Sequence, residues 1–571
     1  MTGGLFTKEG RALHEDRKKI PWEVHPRPLL KRDSFLNLNG YWKFRVIKDD
    51  RTVRAGEGLI RVPFPPESPL SGVGRHFPEG AELIYERKVT IPEEFRMDIL
   101  LLHLDGVDQH AKVYIDGEFA GSHDGGYEHF TIDISSAKDE FTLRVVAIDD
   151  LNDRKEPYGK QRLKRGGMWY TPFSGIWQPV WIESVPKEYV RELRIETDTK
   201  RALIETEKSI SGELIVKTPE GCKSWPFNEG RAEIFPDNPK LWSPEDPYLY
   251  HFRLVTEGGD QVSSYFALRS ITSGRDEKGV NRLFLNGKPY FFHGLLDQGY
   301  FPDGLSTPAD PTLYERDILT AKELGFNMLR KHVRVDPDLF YSACDRLGIV
   351  VFQDIVNNGR YSFLHDTALP NLGFFSYSDL NRYKDKETRK TFVKRMEETV
   401  RQLYSFPGIL YWTVFNEGWG QFDSVSVSLR LKELDDTRII DAASGWFDQG
   451  AGDVASVHIY GHSYIHTRHV WKNKPVVLSE CGGYTYALKE HMFNPEKAYG
   501  YGVMKSSEEF LCRIERLYNE EIKPVIKLGL SGAVYTQLSD VEDETNGLIT
   551  YDREVVKVDS KRMKKLMEGV W

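Results

Sequence analysis

Short runs of alternating apolar and polar residues fill the first half of the chain, and helical spacing enters only in the second. Between residues 39 and 182, Tyr41-Trp42-Lys43-Phe44-Arg45-Val46 and Ala111-Lys112-Val113-Tyr114-Ile115 have the period of two expected of half-buried strands. Asp116-Gly117 closes the second run as a tight hairpin, because such turns need residue types that accept left-handed backbone. Phe141-Thr142-Leu143-Arg144-Val145-Val146-Ala147-Ile148 and Ile176-Trp177-Gln178-Pro179-Val180-Trp181-Ile182 continue the series. Many strands without a helix predict an all-β jelly roll over residues 1–187. Inside it, Arg154-Lys155-Glu156-Pro157 and residues 160–167 form a basic loop, read as solvated surface with a substrate-facing loop as the alternative. Residues 188–274 are again strand-like, include Pro239-Lys240-Leu241-Trp242-Ser243-Pro244, and have the size of an immunoglobulin-like sandwich.

From residue 275 to 571 the pattern changes to strand-like runs alternating with helical ones, as in βα units on a parallel sheet. Asp310-Pro311 is a helix start, with Asp as cap and Pro pre-set for the first turn. Phe392, Met396, Val400 and Leu403 share one helical face and stop before Pro407-Gly408. The strands are expected at 290–293, 326–330, 349–352, 409–415, 439–443, 455–460, 475–479 and 529–535. Eight units of this length predict a C-terminal (β/α)8 TIM barrel.

Composition narrows the function. Lys plus Arg total 77 against 86 Asp plus Glu, a net charge of −9, which carries no footprint for nucleic acid. No apolar run approaches the roughly 18 residues of a membrane span. The first residues show no secretory pattern, and four cysteines without metal-type spacing suit a reducing, cytoplasmic setting. Phe, Trp and Tyr make up 12% of the chain, and such rings suit sugar faces as well as β cores.

Barrel chemistry gathers where strands end. Strand four runs into Asn416-Glu417-Gly418-Trp419-Gly420 and strand seven into Glu480-Cys481-Gly482-Gly483. Packing asks for no acid at either place, and a buried carboxylate costs several kcal/mol unless paired (roughly,). Two carboxylates facing one pocket are the equipment of glycoside hydrolysis: one donates a proton to the leaving oxygen, the other attacks the anomeric carbon. Two rivals stand beside this reading, a sugar-binding protein without turnover and a metal-dependent barrel hydrolase using His458, His462 and His466.

With Gly325-Phe326-Asn327-Met328-Leu329-Arg330, Phe415-Asn416-Glu417-Gly418 and Leu478-Ser479-Glu480, the order of domains resembles glycoside hydrolase family 2, the β-galactosidases, β-glucuronidases and β-mannosidases. The resemblance spans residues 39–552. It implies a retaining exo-β-glycosidase with Glu417 as general acid/base and Glu480 as nucleophile. It further implies Asn416 on the sugar 2-hydroxyl, Tyr460 orienting the nucleophile and Arg330 supporting it. The candidate substrate-binding set adds His332, Asp354, His458, Trp419, Tyr535 (with Gln537 nearby), His293 and Asp297. Asn357-Asn358-Gly359 lacks the metal-binding pair of the large β-galactosidases, so neither metal nor cofactor is expected. A glycoside is the expected partner, with neither nucleic acid nor membrane, and homo-oligomers are common in the family. The loop Glu542-Asp543-Glu544-Thr545-Asn546 is acidic and lacks a uronate-binding lysine, which favours a neutral sugar. Galactose leads; β-mannoside, β-glucuronide and galactofuranose or arabinose substrates stay open. Lys331 and Arg334 are expected to be solvated.

Overall fold

The computed structural model describes residues 4–371, 378–380, 382–460 and 473–571. Two antiparallel sheets form the N-terminal part: four strands in the order Leu36–Asn37, Val180–Val185, Ile99–Leu104, Phe130–Asp133, and six running from Arg51–Val62 to Glu118–Asp124. Alternation does what the sequence pattern predicts. Along Gly40–Lys48 the side chains of Trp42, Phe44 and Val46 are buried and join Tyr85, Leu102, Leu143 and Val180 between the sheets. Asp116 and Gly117 take φ of 49° and 90°, as the hairpin requires. The run expected at 176–182 is instead two strands, Gly175–Ile176 and Val180–Val185. Pro179 between them has no N–H for a ladder, and the Trp177 indole donates to Gly126 O at 2.7 Å.

A second sandwich follows, with a three-stranded sheet (Leu193–Thr197, Ala202–Thr206, Arg231–Ile234) facing a four-stranded one. Ile204, Leu214, Val216, Phe252 and Phe266 fill the space between them. A small three-stranded sheet from Ile271–Arg275 to Lys288–Pro289 then covers the N-terminal end of the barrel. Its Leu283 N–H donates to Ser531 Oγ, and Trp242 packs with Phe292, Val350, Leu410 and Val534 in the barrel floor.

The barrel strands are β1 (Phe292–Asp297), β2 (Met328–Lys331), β3 (Val350–Asp354), β4 (Ile409–Thr413), β5 (Ile439–Asp441), β6 (Ala455–Ile459), β7 (Val476–Gly482) and β8 (Leu530–Thr536). They form one eight-stranded sheet in the order β5-β4-β3-β2-β1-β8-β7-β6. Among the described residues no ladder joins β5 to β6; the seam is held by Asp453 N–H to Ile440 O at 2.7 Å and Ile440 N–H to Asp453 Oδ2 at 2.9 Å. Every residue of β1 to β5 is buried, as expected of strands covered on both faces. Among the described residues no helix is long and apolar enough to cross a membrane.

Candidate active site

Side chains alternate across each strand, so one residue at a strand end enters the barrel and the next enters the helix layer. Arg330, at the end of β2, enters the barrel with 1% of its surface exposed. Its Nε and Nη2 donate to Asp354 Oδ1 and Oδ2 at 3.0 and 3.1 Å. The same guanidinium reaches Asn416 Oδ1 (2.9 Å), Ser479 O (3.0 Å) and Glu480 Oε1 (3.2 Å). One cation thus ties together the ends of β2, β3, β4 and β7.

Glu480 receives Arg330 on Oε1 and the Tyr460 hydroxyl on Oε2 at 2.6 Å. Tyr460 also bonds Thr536 Oγ1 at 2.8 Å and stacks on Tyr501 with centroids 4.3 Å apart. Burial pushes the Glu480 carboxyl up, but His458, His332 and Arg330 outweigh it and hold it down at about 2. Burial likewise opposes ionisation of Asp354, and Arg330 with His332 holds it at about 2. His332 Nδ1 lies 3.0 Å from Asp354 Oδ2, and burial lowers its pKa.

Glu417 stands on strained backbone with φ of 54°, uncommon for a residue with a side chain. Gly418 follows at φ 68°, where an added Cβ would lie 2.3 Å from the Phe447 ring. Glu417 N–H donates to Ser444 O at 2.9 Å, anchoring the turn to the chain after β5. His458 bridges the carboxylates: Nδ1 is 3.0 Å from Glu417 Oε1, and Nε2 is 3.6 Å from Glu480 Oε1. Carboxylate oxygens of Glu417 and Glu480 lie within 4.8 Å of each other. Glu417, His458 and Glu480 are close enough together to hold a cation. Arg330 already supplies a positive charge beside Glu480, which opposes a second one there.

The structure therefore brings together Glu417, Glu480, Asn416, Arg330, His332, Asp354, His458 and Tyr460. Four expected sugar ligands lie elsewhere. His293 is at the start of β1, its Nε2 2.7 Å from Gly325 O, because the strand runs on to Asp297 rather than ending at residue 293. Asp297 pairs in register with Lys331, and both face the helix layer, where Lys331 Nζ is 2.5 Å from Asp297 and also pairs with Asp336. Tyr535 is fully buried beside Gly482 and Tyr484; its neighbour Thr536 is the residue that reaches Tyr460. Trp419, 2% exposed, packs against Tyr158 and Trp169 and props the Glu417 turn. Lys331 and Arg334 are buried rather than solvated; Arg334 donates to Gly299 O and Ser306 O. His462 and His466 lie outside the described residues.

Two further corrections concern the walls. The basic loop at 154–167 is not wholly solvated: Tyr158 N–H donates to Asn357 O, its hydroxyl to Gly359 O at 2.6 Å, and Lys160 and Gln161 are buried. The acids at 542–544 do not line an open sugar site. Glu542 accepts from Thr171 N–H (2.9 Å), Asp543 pairs with Arg165 (3.2 Å), and Glu544 accepts from the Tyr170 hydroxyl (2.5 Å). Burial raises Glu542 to about 7 and raises Glu544 as well. Tyr170, Ser444 and Tyr501 were not singled out from sequence, and Lys160 entered only as part of the basic loop; the aromatics Tyr158, Trp169 and Tyr170 around that loop were the available signal.

A family model for "Glycosyl hydrolases family 2, TIM barrel domain" matches residues 278–566, and one for "Glycosyl hydrolases family 2" matches 184–269. The chain is similar to a β-galactosidase of Thermoanaerobacter pseudethanolicus, 26% identical over 293 residues, covering 48% of this chain and 39% of that protein. It therefore spans well under half the length of that relative. It is also similar to a β-glucuronidase of Chlorocebus aethiops, 24% identical over 545 residues, covering 81% of this chain and 80% of that one. Its fold matches a GH2 β-galacturonidase of Eisenbergiella tayi bound to galacturonate, with TM-score 0.69 and 18% identity over 96% of this chain and 98% of the other. The chain belongs to glycosyl hydrolases family 2.

Proposed function

We propose that this protein is a retaining exo-β-glycosidase in which Glu480 attacks the anomeric carbon and Glu417 protonates the departing oxygen, then activates water. The observation that carries the reading is that the nearest oxygens of the two carboxylates lie within 4.8 Å with His458 bridging them, which supports the closer carboxyl pair of retaining enzymes (roughly 5–5.5 Å between the groups) over the wider inverting one. Arg330 and Tyr460 keep Glu480 ionised and aimed, as a nucleophile requires. With Oδ1 of Asn416 held by Arg330, the Nδ2 edge is left for the sugar 2-hydroxyl. The terminal sugar is a β-hexopyranoside, neutral as in a galactoside or acidic as in a glucuronide. The sequence argument for galactose relied on free acids at 542–544, and those are engaged by the N-terminal domain.

The test is hydrolysis of nitrophenyl β-glycosides with the product anomer followed by NMR. Retention is expected, with a 2-deoxy-2-fluoro glycoside trapped on Glu480. Glu480→Gln and Glu417→Gln should each lower kcat by about 10³-fold or more. An inverted product, or unchanged rates in both variants, overturns the assignment.

A further inference from the structure

Lys160 belongs to the jelly-roll domain, yet its surroundings are those of the barrel pocket. Both of its neighbours are pinned. Gly159, at φ 56°, presses on the residue after His332, so that a Cβ there would lie 2.8 Å from Val333 O. Gln161 donates to Asp108 Oδ2 at 3.3 Å and accepts from Phe173 N–H at 2.8 Å. Lys160 O accepts from Tyr170 N–H at 2.9 Å, and Nζ lies 5.7 Å from the Trp169 ring centroid. The residue is 8% exposed, and among the described residues no carboxylate comes within ion-pair distance of its ammonium. The acids around it are committed: Glu480 and Asp354 to Arg330, Glu544 to Tyr170 and Asn546. Lys160 lowers the pKa of Glu480, Glu544 and His332, so its charge is felt across the pocket wall.

An ammonium held at the pocket wall without a carboxylate of its own is placed to receive the charge of a ligand. We propose that Lys160 is a specificity-determining residue whose ammonium receives the carboxylate of an acidic glycone, making the preferred substrate a β-hexuronide. The inference rests on the glycosidase reading of the same pocket. A neutral sugar offers the ammonium only a hydroxyl, whereas a carboxylate gives a charge-assisted hydrogen bond about twice as strong. The gluco and galacto configurations share that carboxylate, and the substrate panel separates them.

The experiment compares kcat/KM on nitrophenyl β-glucuronide, β-galacturonide, β-glucoside and β-galactoside for the wild type, Lys160→Met and Lys160→Arg, with thermal melting of each. The wild type is expected to favour one uronide over its neutral counterpart. Lys160→Met should cut that ratio by about 100-fold, chiefly through KM, and Lys160→Arg should restore part of it. A wild type that favours neutral sugars, or a ratio unmoved in Lys160→Met, overturns the role of Lys160 while leaving Glu417 and Glu480 standing. If no glycoside turns over, the glycosidase reading fails, and calorimetry with glucuronate, galacturonate, glucose and galactose decides Lys160 by itself. Uronate binding at least tenfold tighter than the neutral sugar, and lost in Lys160→Met, sustains the role; equal binding or none removes it.

Discussion

Replacing Arg330 with Met would remove the cation shared by Asp354, Asn416, Ser479 and Glu480 while keeping most of the apolar stem. Two buried carboxylates, Asp354 and Glu480, would then face each other without it. Breaking such a pair by deleting one partner costs about 3–5 kcal/mol, so the melting temperature should fall, and adding Asp354→Asn should recover part of the loss. The catalytic effect has its own sign. Glu480 is held at about 2, well below an ordinary 4.5, by His458, His332 and Arg330 together against the effect of burial. A depressed carboxyl is ionised at every working pH, so the wild-type profile of kcat/KM should show no acid limb from Glu480 above pH 4. Without Arg330 the carboxyl rises, and a limb should enter the range by about 1 pH unit or more, with kcat/KM down by about 10²-fold. The assay is kcat/KM from pH 4 to 8 on the best nitrophenyl substrate, with circular dichroism confirming a folded variant. A folded Arg330→Met enzyme within threefold of wild type and with an unmoved limb would refute the electrostatic account of the site.

Tyr460→Phe removes the 2.6 Å bond to Glu480 Oε2 and should lower kcat by about 10- to 100-fold, read by steady-state kinetics, with little change in melting. Chelation by EDTA should leave activity within twofold, since Arg330 supplies the positive charge beside Glu480; loss of activity restored by a divalent ion would contradict this. Trp242→Ala empties a fully buried site in the barrel floor and breaks the bond to Asp345 O, which should cost about 3–5 kcal/mol in urea unfolding. In the N-terminal β-sandwich, burial pushes Glu183 up but His103 and Arg32 outweigh it and hold it at about 2. That contribution is present above pH 4.5 and lost as pH falls toward 2, so Glu183→Gln should flatten the fall in urea midpoint between pH 5 and 3.

Whatever depends on period and chain order was readable in advance. The apolar runs at 349–352, 409–415 and 475–479 became β3, β4 and β7, and Glu417 after β4 and Glu480 near the end of β7 meet across the barrel mouth. What failed depended on parity or on distant partners. An alternating strand sends one residue inward and the next outward. Sequence marked Tyr535 where Thr536 enters the pocket, and it ended β1 near His293 when the strand continues to Asp297. Charge was the other weak point, because a charged side chain carries no sign of the partner it will meet. The acids at 542–544 looked like sugar ligands but satisfy Arg165, Tyr170 and Thr171, roughly 370 positions earlier in the chain. The basic loop that carries Arg165 was read chiefly as solvated for the same reason. Folding it against the barrel neutralises the acids and leaves Lys160 buried without a carboxylate, so the domain contact that weakens the case for a neutral sugar also supplies the residue for an acidic one.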